Sequence, residues 1–131
     1  MSEIHNFDGQ VIIVTGCNGQ LGTVYCEALI KNGATLIATD VHDSPNTKIE
    51  NLLNSNSSDG YYKKVDITSE ENVNETFQNI YRQNNKIDVL INNTGTMIFN
   101  EFTKRKKSDF MRVMEVNIFG TFNCINVAEN I

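Results

Sequence analysis

Tryptophan is absent, and the 131 residues include one proline and three cysteines. With Pro45 as the only proline, almost nothing in the chain forbids helices or central strands. The cysteines, Cys17, Cys26 and Cys124, are an odd set without C-x-x-C spacing, which argues against a disulfide scaffold. Free thiols point to a reducing compartment, and the expected location is cytoplasmic. His5 and His42 are far apart, neither sits in a metal-ligand spacing, and no metal is expected. No apolar run is long enough to span a bilayer, and Met1 to Asp8 has no apolar signal core, so no membrane role is expected. Positive charge is in short supply: 11 Lys and Arg against 16 Asp and Glu leave a net charge of −5, against a nucleic-acid role. The one basic cluster, Lys104-Arg105-Lys106-Lys107, reads as a solvated loop before a helix.

What is present is regular alternation. Gln10 to Thr15 is a short apolar run that suits a buried parallel strand. Leu21, Val24, Tyr25, Ala28 and Leu29 recur at helical spacing, with Lys31 and Gly33 closing the helix. Ala34 to Thr39 is a second strand ending at Asp40. A short helix is expected around Ile49 to Leu53, with Asn51 to Ser58 a surface loop. Tyr61 to Ile67 is a third strand, followed by a Thr68–Glu71 capping box and a helix with Val73, Phe77, Ile80 and Tyr81 on its apolar face. Ile87 to Ile91 is a fourth strand. A long helical pattern then starts near Ser108, with Phe110, Val113, Met114, Ile118, Phe122 and Ile125 as its stripe. Parallel strands need crossovers, so this order predicts one α/β domain over residues 1–131, a doubly wound parallel sheet with strand order 3-2-1-4. The fourth strand would be an apolar edge, so self-association is expected.

The chemistry concentrates in the turn after the first strand, Thr15-Gly16-Cys17-Asn18-Gly19-Gln20-Leu21-Gly22. Glycines in such a turn permit a tight bend, a close backbone approach to a pyrophosphate, and close helix–strand packing. The helix N-terminus then offers unpaired N–H groups to phosphate oxygens. Asp40 can accept hydrogen bonds from the adenosine ribose hydroxyls and would repel a 2′-phosphate. No Arg or Lys lies in the turn or directly after Asp40, which favours NAD over NADP; a protonated His42 would soften that preference. Cys17 is either an inert small residue or a thiol activated by the helix N-terminus.

Ligands of open α/β sheets lie beyond the carboxyl ends of the strands. Asp66, after the third strand, either meets an adenine amino group or only caps its turn. Asn92-Asn93-Thr94-Gly95 ends the fourth strand and either lines the cofactor or is a simple loop. Asn117 falls on or beside the apolar stripe of its helix. It must find partners there, and either locks a kink or holds a water near the active site.

Together these motifs resemble the short-chain dehydrogenase/reductase family, over essentially the whole chain. The resemblance implies a Rossmann fold, with Gly16, Asn18, Gly19, Gln20, Leu21 and Gly22 at the pyrophosphate and Asp40 at the ribose. It further implies Asp66 and Ile67 at the adenine, Asn93 bracing the sheet, and Thr94 and Gly95 lining the cleft. Asn117 resembles the asparagine of the family's Asn-Ser-Tyr-Lys catalytic tetrad, whose backbone carbonyl orients a water. Two departures stand out. The glycine spacing is that of the extended subfamily, with Gln20 where the short form has glycine, while Asn-Asn-Thr-Gly belongs to the short form. None of the four tyrosines has Lys four residues later, and the family's catalytic Ser is not found either. The expected protein is therefore the cofactor-binding half of an NAD-dependent, homo-oligomeric oxidoreductase. Its reaction would be hydride transfer between nicotinamide and a small alcohol or carbonyl substrate. The alternatives are a non-catalytic NAD-binding module or redox sensor, and a sugar-nucleotide epimerase or dehydratase of the extended subfamily.

Overall fold

A computed structural model describes residues 6–55 and 59–131. Strands β1 (Val11–Thr15), β2 (Thr35–Asp40), β3 (Tyr61–Lys64) and β4 (Val89–Ile91) form one sheet in the order β3-β2-β1-β4. Every pairing is parallel. Helices α1 (Gln20–Lys31), α2 (Thr47–Ser55), α3 (Glu70–Asn84), α4 (Lys107–Met114) and α5 (Thr121–Glu129) make the connections. The fold is thus the doubly wound α/β sheet that the alternation predicts.

The pleat of β1 divides the core in two. Val11 and Ile13 pack with Ile37, Val73, Phe77, Ile80, Cys124 and Val127, under α3 and α5. Ile12 and Val14 face the other way, against Cys17, Cys26, Leu29, Leu36, Ala38 and Ile49, under α1 and α2. Because β1 is buried along its whole length, each of its large apolar side chains contributes about 1.5–3 kcal/mol of burial. Register aligns Thr15 with Thr39 and Val14 with Ile91, so the carboxyl ends of β1, β2 and β4 finish together. The chain crosses to opposite faces of the sheet after β1 and β4, which opens a crevice between their ends.

Several boundaries differ from expectation. Helix α1 buries Gly22, Thr23, Cys26, Leu29 and Ile30, whereas Leu21, Val24, Tyr25 and Ala28 face outward. Close approach is confined to the first turn of the helix, where Gly22 lies against Gly16 and Cys17, while Cys26, Leu29 and Ile30 pack into the core. Strand β3 ends at Lys64 and β4 begins only at Val89. The cap of α3 is Ser69, whose hydroxyl accepts from Asn72 N at 3.2 Å. Thr68 is turned the other way, donating both its hydroxyl and its N–H to Asp66 Oδ1. Helix α2 runs through Ser55, replacing the first part of the expected 51–58 loop; residues 56–58 lie outside the described residues. So do residues 1–5, which carry most of the polar N-terminal stretch.

The long final helix is interrupted. A π-helical segment, Glu115–Gly120, joins α4 to α5. Its inward positions are Val116, Asn117 and Gly120, and a Cβ on Gly120 would come within 2.6 Å of Ile67 side-chain atoms. Phe110, Ile118, Phe122 and Ile125, expected to face the core, are exposed, together with Met111 and Phe119. The inward contacts of this stretch are made by Gly120 against Ile67, in the loop after β3, and by Cys124 and Val127 in the core.

Candidate functional site

The glycine turn is shaped by close backbone approach. Gly16 has a positive φ of 68°, and a Cβ there would lie 2.9 Å from the Thr94 Cα. A Cβ on Gly22 would overlap the Gly16 carbonyl oxygen. On Gly19 a Cβ would meet only that same oxygen, at an ordinary 3.4 Å, so the fold alone does not demand glycine at this position. Gly19 is the N-cap of α1, with no side chain to satisfy the helix end and no acid in the first turn. The N–H groups of Gln20, Leu21 and Gly22 have no intrahelical acceptor. These features suit a pyrophosphate, which brings acceptor oxygens and negative charge to such an end.

Asn18 is turned to a different task. Its N–H donates to Asp40 Oδ2 at 3.0 Å, its amide donates to Ser44 O, and its Oδ1 accepts from Asn46 N at 2.6 Å. Asn46 also donates to Thr23 Oγ1 at 3.1 Å. These contacts tie the turn to the loop after β2, leaving the Asn18 side chain committed to the protein. Nothing in local periodicity singles out Asn46.

Asp40 closes β2 and is 8% exposed. Besides Asn18 N, it receives His42 Nδ1 at 2.6 Å on Oδ1. Tyr62 on β3 donates its hydroxyl to His42 O at 2.6 Å, which anchors the loop. Burial, with the negative groups nearby, pushes the Tyr62 phenol upward, so it remains a neutral donor.

Thr15 links β1 to the end of β4. Its hydroxyl accepts from Asn93 N and Thr94 N, at 3.1 and 3.2 Å, and lies 3.5 Å from Ile91 O. The Asn93 amide donates to Thr15 O and Gly16 O, so it braces the two loops that form the cleft. Asn117 grips the next residues: its Oδ1 accepts from Thr96 N at 2.8 Å and its Nδ2 donates to Thr96 O at 2.9 Å. Its backbone carbonyl accepts from Thr121 Oγ1 at 3.2 Å. The interrupted helix presents Asn117 to this loop, and a Cβ on Gly95 would lie in ordinary contact with Asn117 Oδ1, at 3.6 Å.

A cleft of about 850 Å³ runs over these elements. It brings together Gly16, Asn18, Gly19, Gln20, Leu21, Gly22, Asp40, Asp66, Ile67, Asn93, Thr94 and Gly95, every cofactor-binding position expected from sequence. Asn117 stands behind the lining and touches it through Thr96. Val41, His42, Val65, Thr68, Thr96, Met97, Arg112 and Val116 also line it. Of these, His42 was expected to act on the cofactor preference, whereas Val41, Thr96, Met97, Arg112 and Val116 had not been assigned a place at the site. Asp66 does cap its turn through Thr68, and also borders the cleft.

The thiols are inert by environment. Cys17 is fully buried, and burial, with Cys26 and Asp40 nearby, pushes its thiol far up. Burial likewise pushes Cys26 and Cys124 up to about 12. An activated Cys17 needs the opposite shift, so a sensing role for it has no physical support here. Among the described residues no cluster of three metal-ligating side chains occurs, and no helix is long and apolar enough to cross a membrane.

The sheet order, the glycine turn and the cleft at the strand ends define a dinucleotide-type Rossmann fold. The family model described as short chain dehydrogenase matches residues 10–130, and the chain belongs to that family. It is 31% identical over 124 residues to 3-hydroxyacyl-CoA dehydrogenase type-2 of Drosophila melanogaster, covering 90% of this chain and 48% of that protein. It is 30% identical over 115 residues to the 3-oxoacyl-(acyl-carrier-protein) reductase FabG of Aquifex aeolicus, covering 87% of this chain and 46% of the reductase. Among solved structures, NAD+-bound xylitol dehydrogenase superposes with a TM-score of 0.88 at 28% identity, over 96% of this chain and 49% of that one. ElxO, solved with NADP bound, gives 0.83 at 27% identity, over 92% and 49%. The chain therefore spans about half the length of these relatives.

Proposed function

We propose that this chain is the NAD-binding half of a short-chain dehydrogenase-type oxidoreductase acting on a small alcohol or carbonyl compound. The observation that carries the reading is the meeting of the capless glycine turn and the Asp40 carboxylate in one cleft. In this reading residues 1–131 form a single nucleotide-binding domain. The N–H groups of Gln20 to Gly22 hold the pyrophosphate, Asp40 receives the adenosine ribose, and Asp66 and Ile67 flank the adenine. Asn93 and Asn117 keep the cleft-lining loop in position through Thr15, Gly16 and Thr96. A bound nicotinamide would supply the hydride chemistry. No Tyr-x-x-x-Lys pair, the one that would move the substrate proton, occurs among these residues, and the chain spans 46% of the reductase's length.

NAD is preferred because the Asp40 carboxylate repels a 2′-phosphate. Solved relatives include proteins bound to each cofactor, so the preference rests on Asp40 alone. The outward aromatic face of α4 and α5 and the apolar edge at Val89 support a homo-oligomer. Three buried, unpaired thiols support a cytoplasmic setting. Calorimetric titration tests the reading: NAD binds saturably and NADP roughly tenfold more weakly, a difference of about 1.4 kcal/mol. Asp40→Asn narrows the gap. Equal or tighter binding of NADP by the unsubstituted chain would overturn the role given to Asp40.

A further inference from the structure

We propose that His42 is a second specificity residue of the ribose pocket, controlling by its charge whether the site accepts a 2′-phosphate. This rests on the nucleotide-binding reading above. A ribose diol needs two acceptor positions on Asp40. Each carboxylate oxygen offers about two. Oδ1 already receives His42 Nδ1 at 2.6 Å and faces His42 N at 3.4 Å, and Oδ2 receives Asn18 N at 3.0 Å. A carboxylate cannot donate, so Nδ1 carries the hydrogen in this contact. A ribose hydroxyl finds one position open on Oδ2, and the second opens when the His42 ring releases Oδ1.

The ring can move. Its side chain is 71% exposed and borders the cleft, whereas its backbone is held by Tyr62. The titratable and charged groups around the ring come from several elements. Asp40 ends β2, and Asp43 lies in the following loop, paired with Lys64 of β3 at 2.6 Å. Tyr62 is also on β3, Cys17 is buried in the turn, and Asp66 and Arg112 border the same cleft. Among the described residues Asp40 is the group paired with the His42 ring, while Asp43, paired with Lys64, also feels the His42 charge. Neutral His42 leaves Asp40 with its full negative charge, which excludes a 2′-phosphate. Protonated His42 cancels that charge and adds a second N–H, on Nε2, able to donate to phosphate oxygens. Histidine side chains change charge within about pH 5 to 8, so NADP acceptance is gated by pH.

A 2′-phosphate also titrates near about pH 6, which by itself lessens repulsion in acid. The test separates the two causes. Dissociation constants for NAD and NADP are measured by calorimetry at about pH 5.5 and about pH 8.5, for the unsubstituted chain and for His42→Gln. The expected result is a roughly tenfold fall in the NADP-to-NAD ratio of dissociation constants on acidification. In His42→Gln the fall shrinks to roughly twofold, the share left to the phosphate. A full fall in the variant, or a pH-independent ratio in the unsubstituted chain alongside normal NAD binding, overturns the role of His42 alone. Failure to bind either cofactor at both pH values overturns the nucleotide reading and this inference with it.

Discussion

Thr15→Val is the sharpest probe of how the cleft is held together. The side chains are nearly the same size and Thr15 is 1% exposed, so the substitution removes a hydroxyl without opening a cavity. That hydroxyl accepts from two N–H groups, Asn93 and Thr94, both half-buried. An unsatisfied N–H costs about 1–3 kcal/mol, with the low end suiting half-buried groups. Two such losses give about 2 kcal/mol, or a fall in Tm of roughly 6–10 °C for a chain of this size. Thr39→Val is the matched control. Thr39 is equally buried, but its hydroxyl only donates to Val14 O at 3.1 Å, so its removal strands no N–H group. Its expected cost is about 1 kcal/mol or less. Thermal and urea melts of the two variants decide the matter. A Thr15→Val cost equal to or below that of Thr39→Val would refute the claim that Thr15 joins β1 to the loop after β4.

Other consequences follow from single contacts. Gly22→Ala should gain about 0.8–1 kcal/mol of helix propensity yet lose more by overlap with the Gly16 carbonyl, for a net cost of about 1–2 kcal/mol by chemical denaturation and weaker NAD binding. Asn117→Ala should cost about 1–3 kcal/mol and speed hydrogen exchange at Thr96, whose N–H loses its acceptor. Asp88 is held below the usual carboxylate range by the Val11 N–H at 2.7 Å and by Lys86. A depressed carboxylate stabilises the fold above its unfolded pKa and loses that effect as pH falls through the folded value. Asp88→Asn should therefore lower Tm at neutral pH, and the gap to the unsubstituted chain should close below about pH 4. Cys17, Cys26 and Cys124 should resist a thiol reagent at about pH 8 and react fully once urea is added.

The sheet was legible because its signals are local and redundant. Apolar runs such as Val11 to Val14, each followed by polar punctuation, mark the strands, and the strand–turn–helix context marks Gly16 to Gly22 as a phosphate turn. Asp40 follows from its distance to that turn. Helix faces were less legible. Leu21 and Phe110 look like core residues by hydrophobicity, yet both are exposed, and the close contacts beside them are made by Gly22 against the Gly16 turn and by Gly120 against Ile67. The α4–α5 pattern is further displaced by the π-helical segment, which shifts the register that a uniform helix would keep. Thr68 scored as a cap by spacing, but Asp66 competes for its hydroxyl and Ser69 takes the role. At the site, His42 and Arg112 reach the cleft, and Asn46 braces the turn through Asn18, by loop and helix geometry that no periodicity encodes.

The central claim is that the cleft between β1 and β4 binds a dinucleotide through the turn and Asp40. Amide chemical-shift mapping during titration with NAD tests it most directly. The account predicts saturable shifts grouped at residues 16–22, at Asp40 to His42, at Asp66 and Ile67, and at Thr94 to Met97, with little change along α3. No saturable shift, or shifts confined to surfaces away from the glycine turn, would contradict it.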